Sequence, residues 1–242
     1  MAFTSNEKQE LVEHSCMNCT KRDCSLLSQL SFKELELLNL DRYMLQFKKG
    51  ETICKVGTKP IGLICLKDGK VKVTKQGVNG EEQIVSLKKP VDFIGFRALM
   101  SHSVCSESSI ALVDSRVCII RKDDFFKTIS SNSDLAFKII TWFAEELGDT
   151  ETRLVNLTQK HLQSRLAEAL LLVHQVYGSN EKDGHLGVAL KRSDLAALSN
   201  MTISNVSRVL TLFVKEHLVE THQRHIKLLN VKALKEISLQ GS

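Results

Sequence analysis

The sequence predicts an α+β protein in which an antiparallel β sandwich or barrel is followed by one long helix and then by a winged helix-turn-helix unit. Three observations predict it. Between Asp41 and Arg121, short β-branched runs recur at a spacing of roughly ten residues, divided by turn residues. After Asp134 the apolar period changes to that of a helix. Towards the C-terminus, two short amphipathic segments flank Ser199-Asn200-Met201-Thr202, a tight-turn sequence.

In the β region the punctuation is Gly50, Gly57, Asp68-Gly69, Asn79-Gly80, Asp92 and Gly95. Val71 and Val73 on one side of Asn79-Gly80, and Ile84, Val85 and Leu87 on the other, predict a hairpin. The long helix is expected from Leu135 to near Lys160. Ile140, Phe143, Leu147, Leu154 and Leu157 form one stripe along it, with Thr150 filling the gap. Leu135, Ile139, Trp142, Glu146, Asp149 and Arg153 form a second stripe that turns charged halfway. A helix with two used faces suits a dimer, one stripe against its own domain and the other against a partner. The second stripe is the expected dimerisation face. Like charges at Glu146 or Asp149 meeting their copies across a two-fold oppose association by something on the order of 1 kcal/mol per close pair.

Gln163 to Val176 reads as a further helix, and Gly178 to Gly187 as a polar loop. The segment Ser193 to Leu198 buries Leu195, Ala196 and Leu198, and the segment Ile203 to Glu216 buries Val206, Val209, Leu210 and Phe213. Asn200 tolerates a left-handed backbone and Thr202 caps the second helix. That helix leaves Ser204, Asn205, Ser207 and Arg208 on its outer face, and an arginine fork matches the two acceptors of guanine in a major groove. Thr202, Ser204, Asn205, Ser207 and Arg208 are therefore the expected contacts to double-stranded DNA. Leu218 to Glu220 and Ile226 to Leu229 read as the wing, with Thr221 to His225 at its tip.

Composition sets the context. The chain has 242 residues, enough for two ordinary domains, and a net charge of +5 that leans only modestly towards polyanions. Residues Met1 to Glu13 are polar, and the longest apolar run, Ala169 to Val173, is too short to span a bilayer, so a cytoplasmic location with no membrane partner is expected. Seven cysteines in a reducing compartment point to metal binding, catalysis or burial rather than a disulfide framework. Cys16, Cys19 and Cys24 crowd together near the start, and Cys118 follows in a strand-like segment. No enzyme is expected, because the chain has no glycine-rich phosphate loop, paired-histidine metal motif or nucleophile elbow.

Read in order, Lys49-Gly50-Glu51, Lys55-Val56-Gly57, Lys67-Asp68-Gly69-Lys70-Val71, Asp92-Phe93-Ile94-Gly95, the long helix, and Arg192-Ser193-Asp194-Leu195-Ala196 leading to Ser204-Asn205-Val206-Ser207-Arg208 resemble the CRP/FNR superfamily. This is the superfamily of the cyclic-AMP receptor protein and the fumarate and nitrate reduction regulator. The likeness runs from about Cys16 to Leu234. It implies a cyclic-nucleotide-binding-like β-roll and a homodimer on palindromic DNA. It also implies a division into an N-terminal arm (1–30), a β-roll sensor (31–132), a dimerisation helix (133–161) and a winged helix-turn-helix domain (162–242).

Members that bind cyclic AMP carry Gly-Glu after the Asp-Phe-Ile segment and Arg-Ser further on. Here Phe96 follows Gly95, and Ser106-Glu107 stands in the second place, so cyclic AMP is not the expected effector. The resemblance is closest to the iron–sulfur branch, in which three arm cysteines and one late-strand cysteine hold a cluster. It implies Cys16, Cys19, Cys24 and Cys118 as ligands of a [4Fe-4S] centre that senses oxygen, nitric oxide or redox state, with the gap from Cys19 to Cys24 one residue shorter than the pattern. The alternatives are a zinc or Rieske-like site using His14, a thiol switch, and a cluster-free regulator answering to haem or another small ligand. Cys54, Cys65 and Cys105 match no ligand position, and Cys54 and Cys65 read as core residues. Ser204 replaces the glutamate usual in the family, and Lys191 stands where a capping hydroxyl is usual. Gly80, Glu81 and Glu82 resemble a surface that touches RNA polymerase, and read equally as a charged hairpin turn.

Overall fold

The computed structural model describes residues 25–240. Its first element is a 3-10 turn, Leu26–Gln29, capped by the Ser25 hydroxyl, which accepts from the Leu27 amide at 3.1 Å. Helix α1 (Phe32–Asn39) opens with a reciprocal cap. The Ser31 amide donates to Glu34 at 2.7 Å, and the Glu34 amide donates to the Ser31 hydroxyl at 3.4 Å.

The β-roll follows as two four-stranded antiparallel sheets. One has the order β1 (Tyr43–Phe47), β8 (Ser115–Arg121), β3 (Gly62–Asp68), β6 (Phe93–Ile94). The other has the order β2 (Thr52–Cys54), β7 (Ser108–Ala111), β4 (Val71–Gln76), β5 (Glu82–Lys88). The Asn79-Gly80 hairpin forms as the sequence predicts: Val71 pairs with Lys88 and Gln76 with Glu82, and Gly80 takes φ 76° in the turn. Gly69, at φ 112° between β3 and β4, lies so close to Ser115 that a side chain there has no room.

Strand alternation sorts the β-roll core. Ile64, Leu66, Val117 and Ile119 face the interior between the sheets, with Val71, Cys54 and Cys105. Leu63 and Ile120 face the other way, onto α1, the short helix α2 (Phe96–Met100), α3 (Lys122–Ser131) and the start of the long helix α4 (Ser133–Gln159). Helix α4 runs Ser133–Gln159, within two residues of the sequence expectation. Asn132 caps it by accepting from the Leu135 amide at 2.8 Å, and its Nδ2 donates to Glu34 at 2.8 Å, which ties the long helix to α1.

Beyond α4 lie α5 (Leu162–Tyr177), α6 (Arg192–Ser199), α7 (Ile203–Lys215), the wing strands β9 (Val219–His222) and β10 (His225–Leu228), and α8 (Val231–Leu239). The wing is tighter than its sequence suggests, because Gln223 adopts φ 54° and closes a two-residue turn with Arg224. Among the described residues no helix is long and apolar enough to cross a membrane.

Candidate functional site

The reading end is built by the turn between α6 and α7. Asn200 takes the left-handed conformation at φ 51°, and Arg165 of α5 donates to its carbonyl at 2.9 Å. The Thr202 hydroxyl accepts from the Asn205 amide at 3.2 Å and starts α7. Val206, Val209, Leu210 and Phe213 are buried, so the opposite face of α7 presents Ser204, Ser207 and Arg208 to solvent, with Thr202 exposed at the cap and Asn205 half-buried. Arg208 Nη2 donates to Asn205 Oδ1 at 3.1 Å, which holds the guanidinium along the helix. The structure thus brings together all five residues singled out from sequence. Thr211, one turn beyond Ser207, and Arg224 at the wing tip are also exposed at this end. The signals for them are the helical repeat of the outer face and an arginine inside a hairpin tip. Lys191 precedes α6 without a capping hydroxyl, and Asp194 does the work instead by accepting from the Lys191 amide at 3.0 Å.

The two stripes of α4 require a correction. Leu135 and Ile139 are 2% and 3% exposed in the single chain, packed on the outer face of the β-roll, so a partner does not reach them. Trp142 lies edge-on to Phe96, with ring centroids 5.4 Å apart. Glu146 is exposed, with Lys88 of the same chain 3.8 Å away. Arg153 donates to the carbonyls of Ile84 and Val85 at 2.8 Å each and to that of Leu198 at 3.1 Å. Asp149 remains exposed. Leu135, Ile139, Trp142 and Arg153 of the stripe expected to meet a partner are therefore turned onto the chain's own domains, Arg153 because it finds carbonyls on β5 and α6, while Glu146 and Asp149 stay exposed. The face left open carries Phe137, Ile140, Leu147 and Leu154, each 60% to 72% exposed.

At the sensor end, Cys16, Cys19 and Cys24 lie outside the described residues. Cys118 is in β8, paired with Cys65 of β3 and Met44 of β1. Alternation puts it on the face of Ile120, the face that Leu27, Leu30 and α1 cover. Arg42 Nη1 donates to its sulfur at 2.9 Å. Among the described residues no group of three or more His, Cys, Asp or Glu is arranged to hold a metal.

Where a cyclic phosphate would be met, Phe96 is buried among Phe93, Phe125 and Phe143. Arg97 donates to the Ser106 hydroxyl and pairs with Glu107 at 3.3 Å, so its charge is already answered by a carboxylate. Gly80, Glu81 and Glu82 are exposed on the β4–β5 turn, with Glu82 3.8 Å from Lys72.

Sensor and reader share a core. Ile84, Leu87 and Leu112 of the β-roll pack with Leu166, Leu195 and Val206. Lys72 of β4 pairs with Asp194 of α6 at 2.8 Å, both side chains largely buried, and the Tyr177 hydroxyl donates to the Val71 carbonyl at 2.9 Å. Burial raises the Tyr177 pKa, so the phenol stays protonated and able to donate.

Residues 44–132 match the family model of the cyclic nucleotide-binding domain, and residues 164–237 match that of the Crp-like helix-turn-helix domain, together about two thirds of the chain. The anaerobic regulatory protein of Aggregatibacter actinomycetemcomitans is 24% identical over 92% of this chain and 87% of its own length. The transcriptional regulatory protein btr of Bordetella pertussis is 22% identical over 94% of each. Among solved structures, FixK2 from Bradyrhizobium japonicum superposes with a TM-score of 0.71 at 22% identity, covering 84% of this chain and all of that one. A β-roll joined by a long helix to a winged helix-turn-helix, matched by both domain models and by regulators along nearly its whole length, places this chain in the CRP/FNR superfamily of DNA-binding transcription regulators.

Proposed function

We propose that this regulator senses oxygen, nitric oxide or redox state through a [4Fe-4S] cluster held by Cys16, Cys19, Cys24 and Cys118, and reads a palindromic operator as a homodimer. Cys118 carries the reading. Its sulfur lies on the sheet face covered by the segment that continues directly from Cys24, and it accepts from a guanidinium at 2.9 Å. A cationic donor suits a thiolate, and it offsets the negative charge of a cluster with four thiolate ligands. When bound, such a cluster supplies a redox-active group sensitive to oxygen and nitric oxide. Cyclic AMP is not the effector, because Glu107 opposes an anion beside Arg97.

The chain's own residues link arm to helix. Leu27 and Leu30 share a core with Leu135 and Ile139 of α4, and Lys138 Nζ donates to the Ser28 hydroxyl at 2.7 Å and to the Ser25 carbonyl at 3.4 Å. A change in the arm is thus a change in what holds the first turns of α4. Ile140, Leu147 and Leu154 recur every seven residues with Phe137 beside them, the pattern of a two-helix seam, and they are the face on which two copies meet. The two-fold sets the two α7 helices one DNA turn apart, roughly 34 Å. Ser207 and Arg208 read bases, Thr202, Ser204 and Asn205 line the same contact, and Arg224 reaches a phosphate from the wing. Gly80, Glu81 and Glu82 offer an acidic turn to RNA polymerase.

Anaerobic purification tests the ligand set. The expected product carries four iron and four sulfide per chain with the visible absorption of an iron–sulfur centre, and Cys118→Ala abolishes both. Full iron and sulfide in Cys118→Ala overturns the assignment of Cys118. Iron-free wild-type protein overturns the cluster itself.

A further inference from the structure

Two thiols with no part in the proposed cluster meet inside the β-roll. Cys54 ends β2 and Cys105 lies in the link between α2 and β7, and their sulfurs are 2.6 Å apart. The two thiols are in hydrogen-bonding contact, either able to donate, so only a small movement separates them from bonding distance. The backbone holds them there. The Gly57 amide donates to the Cys105 carbonyl at 2.7 Å, the Cys105 amide donates to the Thr58 carbonyl at 2.8 Å, and Cys54 pairs with Ser109 across β2 and β7. Gly95 completes the niche. A Cβ at this position would stand in ordinary van der Waals contact, 3.4 Å from the Cys54 sulfur and 3.6 Å from that of Cys105, so both sulfurs sit against the Gly95 backbone.

We infer that Cys54 and Cys105 are a redox-active dithiol that closes to an internal disulfide under a hydroperoxide, a modification site separate from Cys118 and the arm cysteines. The separation is structural, since Cys54 and Cys105 belong to the core between the sheets whereas Cys118 shares the opposite face with Ile120.

With hydrogen peroxide the chemistry balances in two steps. One sulfur attacks the O–O bond, gains an S–OH, and its thiol proton leaves with the departing oxygen as water. The other sulfur then displaces that hydroxyl, and its own proton completes a second water. The two thiols lose two electrons and two protons, and one peroxide becomes two waters. Burial pushes the Cys54 thiol up to about 12, with the contact to Cys105 adding to the effect, so Cys54 rests as the thiol. Both cysteines adjoin exposed stretches in the chain, 55–59 and 101–104, and local opening of either admits a small oxidant. The pair therefore answers sustained rather than brief oxidation. Gly95 lies beside the pair, and the adjoining Phe96 stacks on Phe143 of α4 with centroids 5.3 Å apart.

The test uses the full chain, treated with hydrogen peroxide, quenched under denaturing conditions, alkylated, digested and read by mass spectrometry. The expected result is a cross-linked pair of peptides containing Cys54 and Cys105, with both thiols lost to alkylation and both restored by dithiothreitol. Cys54→Ser and Cys105→Ser each abolish the cross-link and leave the remaining thiol alkylatable. The wild-type digest decides the question even if a serine variant fails to fold. The inference is overturned if both thiols stay alkylatable after the other cysteines are oxidised, if either is recovered joined to a different cysteine, or if either is recovered as an uncross-linked oxyacid.

Discussion

Arg153 is the most informative single residue to change, because its role decides which side of α4 faces inward. Its guanidinium donates to the carbonyls of Ile84, Val85 and Leu198, joining the long helix to the β5 strand and to α6, the first helix of the helix-turn-helix. Hydrogen bonds from charged donors contribute about 1.5 to 3 kcal/mol each, so three give a gross term of roughly 4.5 to 9 kcal/mol. Desolvation offsets much of it, and the same burial lowers the Arg153 pKa. Water also reaches a half-buried site once the side chain is gone. The expected cost of Arg153→Ala is therefore about 3 kcal/mol of unfolding free energy. Arg153→Lys recovers only part of it, since an ammonium lacks the planar fork that spans three carbonyls. The assay is urea unfolding followed at several protein concentrations, which separates folding from association. An Arg153→Ala midpoint equal to wild type, with a weakened monomer–dimer equilibrium instead, refutes the inward placement and restores this stripe as the dimer face.

On the opposite face, Leu147→Asp combined with Leu154→Asp is expected to yield a folded monomer by analytical ultracentrifugation, since each buried leucine is worth about 1.5 to 3 kcal/mol and the two-fold counts it twice; an intact dimer removes the seam. Arg208→Ala is expected to cost about 1 to 3 kcal/mol on specific DNA, concentrated at one position of the half-site, in a titration with a substituted-operator series. Equal loss on random DNA contradicts base reading by Arg208. Glu34 is held below the usual carboxylate range, first by its hydrogen bond with Ser31 and then by that with Asn132. A lowered folded pKa means its contribution is present above the ordinary carboxylate pKa and lost as pH falls through the folded value. Glu34→Ala is thus expected to be less stable than wild type by about 0.5 to 1 kcal/mol at neutral pH, with the gap closing in acid. A gap independent of pH shows that the ionised carboxylate is not what caps α1.

Much of this architecture was legible because local chemistry dictates it. Asn79-Gly80 allows few conformations other than a hairpin turn, and Asn200 followed by Thr202 supplies both the left-handed residue and the cap that a helix-turn-helix needs. The outer face of the recognition helix followed from burial of Val206, Val209, Leu210 and Phe213. What periodicity could not give was the side of α4 that the chain covers itself. The stripe that begins at Leu135 and the stripe that carries Leu147 have the same helical spacing; the choice between them depends on Lys88 and the β5 carbonyls, which are distant in sequence. The meeting of Cys54 with Cys105 was illegible for the same reason, since it arises from the pairing of β2 with β7. The docking of Asp194 on Lys72 likewise depends on the assembled sheet.

In the proposed function, the arm cysteines and Cys118 govern dimerisation and operator binding. Its most direct test is to measure dimer fraction and operator affinity on one anaerobic, cluster-loaded sample before and after oxygen. Both are expected to fall together as the iron–sulfur absorption is lost. Equal dimer fraction and equal affinity in the loaded and cluster-free protein would contradict it.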